Sequence, residues 1–421
     1  MLYQEEEMPD QSVKQVDEAV VREVIDSKNI HTYFQPVVSI STKSIVGFEA
    51  YSKGGGGDVC VIDPAQLFHS DLNPNLKVDV DRLCREKALG QFSPIHVNYK
   101  EMLLFLNINP AILAHVNIGS QVLQKQVASM GIDVKNIVLE CPLGRVNNEE
   151  VLDFACRYKE FGFRIGLDNC SVDDSFNPAI ASLKPDYIKV NRSFYAKDVR
   201  TDYSATMLGS IIEAADRVGA MVIAQGVESE DDSIRLLTAG VHLQQGYYYT
   251  KDEDVTTGDP AKMFFQKIFA TYDKYKKVKR KLVRRKKERF DMTFKTVNSL
   301  CSKFANMTED RFEASCLSFV SRFPEVVSIF VLDEAGEQMT VRAHVKSAEG
   351  REKSSKVLGM TKGVNHSVHD YVLYLDMGYE KFVTQPFTSH FTGAEVCIIS
   401  KPFYNCEGER YIVCIEMPYP G

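Results

Sequence analysis

Between about residue 33 and residue 250, short apolar runs alternate with helical stretches, and no other feature of the chain constrains its fold as much. The runs read "YFQPVVSI", "IVGFEAYS", "LLFLNINP", "NIVLECPL", "FRIGLDN", "YIKVN" and "MVIAQGVE". Helical segments such as "GSIIEAADRVG" and "DDSIRLLTAG" lie between them. Strand–helix repetition predicts a parallel sheet, because each helix returns the chain to the same end of the sheet. With roughly eight strands, a closed (β/α)8 barrel is preferred to an open doubly wound sheet. No G-x-G-x-x-G turn supports a dinucleotide fold.

Polar residues stand at the ends of these runs: Glu49, Asn107, Glu140, Asp168, Lys189 and Glu228. The C-terminal ends of parallel barrel strands share one rim, so six polar groups from six strands are expected to converge there.

Residues 10–28 predict a polar leading helix. From 261 to 323 there is neither Gly nor Pro, and Phe265, Ile268, Tyr272 and Tyr275 recur at helical spacing. The same helix carries the basic run "KYKKVKRKLVRRKKER", read first as a solvated face and second as a nucleic-acid or lipid patch. Its apolar face suggests a homodimer through the connecting helix. After a break near "NMTED", Thr308 is a candidate N-cap. Beyond Pro324 the runs "VVSIFVLDEAGEQMTVRA", "YVLYLDM", "AEVCIISKPF" and "RYIVCIEM" predict strands, with turns at Gly336 and Gly408. The expected organisation is an N-terminal helix (1–29), a barrel (30–257), a connecting helix (258–307) and a smaller α+β domain (308–421).

Composition removes some function classes. A net charge of −7 argues against a polyanion binder by bulk charge. No run approaches the roughly 18 apolar residues of a membrane span, and the acidic start lacks a signal-peptide n-region. Ten cysteines without a C-x-x-C pair fit reduced thiols, hence a cytoplasmic setting. His366 and His369 have H-x-x-H spacing without a third ligand in view.

The ordered motifs "YFQPVVSISTKSIVGFEAYSK", "LNINP", "VLECPL", "IGLDN", "KPDYIKVNRSF", "AQGVES" and "QGYYY" resemble, over roughly 30–255, the EAL domains that hydrolyse the bacterial messenger cyclic di-GMP. The resemblance implies a (β/α)8 barrel and two-metal hydrolysis with Mg2+ or Mn2+. It implies that Glu49, Asn107, Glu140 and Asp168 match first-metal ligands, and that Lys189 matches the lysine that orients the water. Glu228 matches the second Glu of A-E-G-V-E, and Gln245 the Gln of the closing Q-G. Gln35, Glu49, Tyr51, Lys53, Asn107, Glu228 and Gln245 are the implied nucleotide-binding set.

The departures from the family pattern are concentrated. Asn169 stands where the second Asp of D-D belongs, Gln225 where the first Glu of A-E-G-V-E belongs, and Asn191 replaces the Asp of K-I-D. Leu143 replaces a loop-steadying Glu, Tyr51 the Leu of E-A-L, and Lys53 an Arg that grips phosphate. Lys lacks the bidentate guanidinium fork. Neutral amides cannot compensate a second divalent charge, though Asn169 could still ligate through oxygen with help from Asp173 or Asp174. The expectation is a degenerate EAL domain, inactive or very slow, that serves as a cyclic di-GMP receptor or protein-interaction effector. It would need no cofactor, with Mg2+ or Mn2+ only where a residual metal site persists. The alternatives are a weak metal-dependent phosphodiesterase and, last, a nucleic-acid-binding regulator using the basic helix. The segment from about 310 to 421 is similar to the PAS-like sensor domains that follow some EAL barrels, which implies a regulatory role. A protein partner is expected, and no membrane.

Overall fold

A computed structural model describes residues 17–55, 62, 72–109, 121–142, 149–170, 179–195, 201–250, 259, 262, 264–345 and 360–420. The chain divides into two compact units, 1–279 and 280–421.

In the first unit eight strands close into a barrel in sequence order. They are β1 (Ile30–Ser39), β2 (Ser44–Gly54), β3 (Leu103–Asn107), β4 (Ile137–Pro142), β5 (Arg164–Cys170), β6 (Tyr187–Val190), β7 (Met221–Ala224) and β8 (Leu243–Gln244). The barrel is as expected, but the sheet is not all parallel. β1 runs antiparallel to both β2 and β8, while β2 through β8 are parallel. The physical reason is loop length. Only residues 40–43 join β1 to β2, enough for a hairpin, whereas a parallel crossover needs about a dozen residues.

Side chains alternate across a strand, so every second residue faces the barrel axis. Val37, Leu103, Phe105, Val138, Tyr187, Ile223 and Leu243 pack together as an apolar inner layer. Two residues further along the same faces come Gln35, Asn107, Glu140, Lys189, Gln225 and Gln245. The pleat therefore sets a polar layer directly above an apolar plug. Two glycines make room for it. A Cβ on Gly47 would lie 2.3 Å from the Leu103 carbonyl oxygen, and one on Gly166 would lie 3.4 Å from Glu140 Cγ. A larger core of Leu, Ile, Val and Phe side chains, including Phe34, Leu104, Leu139, Ile165 and Leu236, fills the space between strands and helices. Each such side chain contributes about 1.5–3 kcal/mol on full burial.

The helix Phe265–Phe304 follows the barrel. At 40 residues it is about 60 Å long. Ile268 is buried in the barrel's core cluster, and Tyr272 and Tyr275 pack against it. Phe265, the fourth residue of the apolar face that suggested a homodimer, is exposed.

The second unit holds an antiparallel sheet with β9 (Ser328–Leu332), β10 (Ala343–His344), β11 (Phe382–Val383), β12 (Phe387–Thr388), β13 (Glu395–Tyr404) and β14 (Arg410–Pro418). The order is β10-β9-β14-β13-β11, with β12 also paired to β13. Gly336 and Gly408 take left-handed φ values of 81° and 84°, as turn glycines do. "YVLYLDM" corrects the sequence reading, because its first six residues lie in the helix Asp370–Asp376. Its Tyr371, Val372 and Leu375 are buried against Phe330, Leu332, Ile398, Ile412 and Cys414 on one sheet face. A short apolar run has no periodicity long enough to separate strand from helix. On the other face, Val297, Leu300 and Phe304 join Phe312, Cys316 and Phe319 of the helix Phe312–Arg322. Thr308 precedes the short turn Glu309–Arg311, where its hydroxyl bonds the Asp310 carboxylate and not a backbone N–H.

Candidate functional site

The polar layer at the barrel mouth is one connected network. Lys189 Nζ is 2.6 Å from Glu49 Oε2 and 2.6 Å from Glu140 Oε1. All three side chains are within 1% of complete burial. Asn107 Nδ2 donates to Glu49 Oε1 at 2.8 Å. Gln245 Nε2 reaches Glu49 Oε2 at 2.6 Å and Gln35 Oε1 at 2.9 Å. Gln35 belongs to the rim because β1 is reversed, which sets it opposite Glu49 in the register. The Tyr51 hydroxyl donates to Gln35 Oε1 at 3.2 Å. Asp168 is 5% exposed, and its Oδ1 accepts from Gln225 Nε2 at 2.6 Å.

The electrostatics follow from burial and one central cation. Burial opposes ionisation of Glu49, but Lys189 outweighs it and brings the Glu49 carboxyl down to about 2. Burial pushes Glu140 well above the usual carboxylate range despite Lys189, with Glu49 and Asp168 adding to the rise. Asp168 is raised likewise, by burial first. Lys189 is raised above an ordinary lysine, because its three carboxylate neighbours overcome its own burial. Tyr51 is held neutral by burial and by Glu49.

Three of the sequence candidates lie outside this network. Glu228 is exposed and pairs with Arg192 at 2.6 Å. Lys53 Nζ sits over the Tyr33 ring at 4.8 Å. Asn169 is exposed with φ +53°, a left-handed conformation that Asn tolerates better than most residues. Its Oδ1 accepts from Asn191 Nδ2 at 3.0 Å. The amides of Asn169 on β5 and Asn191 after β6 thus bond each other. Leu143, Asp173 and Asp174 lie outside the described residues. Arg192 was not singled out in the sequence; its signal would have been a cation one residue beyond the altered K-I-D position.

Among the described residues, no three His, Cys, Asp or Glu side chains form a ready metal cluster, since the Lys189 ammonium fills the space between Glu49 and Glu140. The donor set nonetheless fits one divalent cation. Three buried acids around one ammonium oppose one another's ionisation, a divalent charge among them would favour their ionised forms, and Glu140 Oε2 has no hydrogen-bond partner. Among the described residues, Asn169 and Gln225 bring no charge toward a second ion; Asn169 Oδ1 accepts from Asn191 and Gln225 Nε2 donates to Asp168.

Residues 18–252 match the EAL domain family. The chain is similar to the uncharacterized EAL-domain containing protein YkuI of Bacillus subtilis, with 23% identity over 320 residues, 73% of this chain and 75% of YkuI. It is 22% identical over 222 residues to the cyclic di-GMP phosphodiesterase TpdA of Vibrio parahaemolyticus, which covers 53% of this chain but 37% of TpdA. The crystal structure of YkuI in complex with substrate c-di-GMP and calcium superposes with a TM-score of 0.74 at 18% identity, covering 96% of this chain and 98% of that one. The EAL domain of Xanthomonas citri FimX in complex with c-diGMP superposes with a TM-score of 0.50 at 16% identity, over 56% of this chain and 93% of that one. At such identities the superpositions speak for the fold alone. The family match spans more than half of the sequence, and the chain belongs to the EAL domain family.

Proposed function

We propose that this chain is a cytoplasmic signalling protein whose barrel binds cyclic di-GMP at its mouth without hydrolysing it at enzymatic rates, and whose C-terminal unit is a PAS-like regulatory domain. One observation carries the reading: each of the three carboxylates of the mouth is engaged by the chain's own N–H donors, Glu140 through Oε1 alone. Lys189 serves Glu49 and Glu140, Asn107 and Gln245 serve Glu49, and Gln225 serves Asp168. A two-metal hydrolase needs those oxygens for cations. The neutral rim amides also lower repulsion toward a phosphodiester. The relatives support the ligand class: TpdA is named a cyclic di-GMP phosphodiesterase, and YkuI was crystallised with c-di-GMP and calcium.

A second reading, a weak metal-dependent phosphodiesterase, has one observation in its favour. The mutual repulsion of the buried acids Glu49, Glu140 and Asp168 would be relieved by one divalent ion, held by these residues with Asn107. Such an ion would supply Lewis-acid polarisation of phosphate and a more acidic water. Calorimetry with cyclic di-GMP, in Mg2+ and in chelator, beside a linearisation assay, separates the two. Binding that persists in chelator with negligible turnover supports the receptor. Turnover of about 1 per second or faster in Mg2+ or Mn2+ rejects it.

A further inference from the structure

The ten residues 280–289, "RKLVRRKKER", hold seven cations and one carboxylate, Glu288. Each residue from 279 to 289 is exposed, three turns of the long helix over about 16 Å, with Lys286 Nζ 5.9 Å from the centre of the Tyr419 ring. Among the described residues, none of the seven cations is ion-paired, whereas Lys274 on the same helix is paired with Glu230. Like charges at one-turn spacing oppose the helix they stand on. Taking this run out of the chain's 50 basic and 57 acidic residues leaves the remainder at −13, so the positive charge is strictly local.

The angular distribution separates the candidate polyanions. At roughly 100° per residue, Arg280, Arg284, Lys281, Arg285, Arg289, Lys286 and Lys287 fall around the whole circumference, with no gap wider than roughly 100°. The apolar Leu282 and Val283 are not adjacent on the wheel, because Lys286 lies between them. A helix built for a lipid surface has a broad apolar face opposite its cations. A flat bilayer would engage only a fraction of these charges. The major groove of B-form DNA, about 12 Å wide, admits a helix and carries a phosphate row on either side. The corresponding groove of A-form RNA is too narrow.

We propose that Arg280–Arg289 is a sequence-independent binding surface for duplex DNA, contacting phosphates through Arg280, Lys281, Arg284, Arg285, Lys287 and Arg289. Neither the barrel mouth nor cyclic di-GMP takes part, so the test is run without nucleotide and stands apart from the function proposed above.

The full chain is titrated into two fluorescent duplexes of unrelated sequence, from about 50 to 200 mM KCl, and binding is followed by anisotropy. Equal affinity for both is expected. The slope of log K against log salt should be about −5, as for neutralising about six phosphates. The variant R284Q/R285Q/K287Q keeps good helix formers at exposed positions, so circular dichroism should be unchanged. It should bind at least tenfold more weakly at about 50 mM salt, with a slope shallower by about 2–3. E288K should bind more tightly. The proposal is overturned by absence of binding at about 50 mM salt, by binding that the triple variant leaves unchanged, or by tighter binding to phosphatidylserine–phosphatidylcholine vesicles than to DNA.

Discussion

Lys189 Nζ lies 2.6 Å from Glu49 Oε2 at the centre of the barrel mouth, with neither side chain reachable by solvent. A buried ion pair contributes little relative to a well-packed apolar pair, but losing one partner strands the other charge. Here Lys189 is the cation shared by three acids. Lys189→Met should therefore destabilise the protein by about 3–5 kcal/mol. Divalent cation should recover part of that loss, since it replaces the missing positive charge. Urea titration with and without Mg2+ checks both statements. A variant as stable as the native protein would mean that the acids are already protonated.

Gln225 donates to Asp168 at 2.6 Å, so restoring the family's acid there sets two carboxylates against each other. Gln225→Glu should lower the melting temperature in chelator and regain it in Mn2+. Adding Asn169→Asp should build a second cation site and raise linearisation of cyclic di-GMP, with the double variant exceeding the sum of the singles because a half-built two-metal site is not half active. Differential scanning calorimetry and the linearisation assay read these outcomes separately. If metal leaves the melting temperature of the double variant unchanged, charge was not the missing element.

Gly47 has no room for a side chain, since a Cβ would fall 2.3 Å from the Leu103 carbonyl oxygen. Gly47→Ala should force β2 away from β3 and cost about 1–3 kcal/mol, the ordinary range for overpacking. Glu49 lies two residues along the same strand face, so the displacement should also weaken cyclic di-GMP binding. Gly90→Ala is the control: a Cβ there meets nothing, and helix propensity makes it neutral or stabilising. Comparable losses from both changes, read as chemical-denaturation midpoints, would contradict the packing argument.

His366 is 4% exposed, with Nδ1 2.6 Å from the Tyr371 hydroxyl and Nε2 2.9 Å from Gln338 Oε1. Burial, then the charges of His369 and Arg342, lower its pKa to about 4. In the unfolded chain it would titrate near about 6.5. As pH falls from about 6.5 to 4, the unfolded state gains a proton that the folded state refuses, so stability declines across that window and the effect vanishes above it. His366→Gln should flatten this part of the profile. Urea midpoints of the native protein and the variant between pH 7.5 and about 4 give the comparison. Parallel profiles would show that another group carries the pH dependence.

The barrel and most of its rim could be read from residues in order, because a strand's period of two and the recurrence of helices are local properties. Glu49, Asn107, Glu140, Asp168 and Lys189 each end an apolar run, and the parallel direction of β2 through β8 brings those ends to one mouth. The family motifs in the chain pointed to the same residues and to the amides that stand among them. Tertiary structure decided what local periodicity could not carry. The reversal of β1 follows from a four-residue connection whose meaning depends on where β8 lies, and it alone sets Gln35 beside Glu49 and Gln245. The six residues of "YVLYLD" became a helix because the sheet face beneath them needed covering, and a short apolar run satisfies either geometry. That Lys189 would bridge Glu49 and Glu140, that Gln225 would take an Asp168 oxygen, and that Glu228 would turn to Arg192 are outcomes of distance among groups 36 to 140 residues apart. Charge-pair energies depend on separation and on burial, and neither exists until the chain has closed into a barrel.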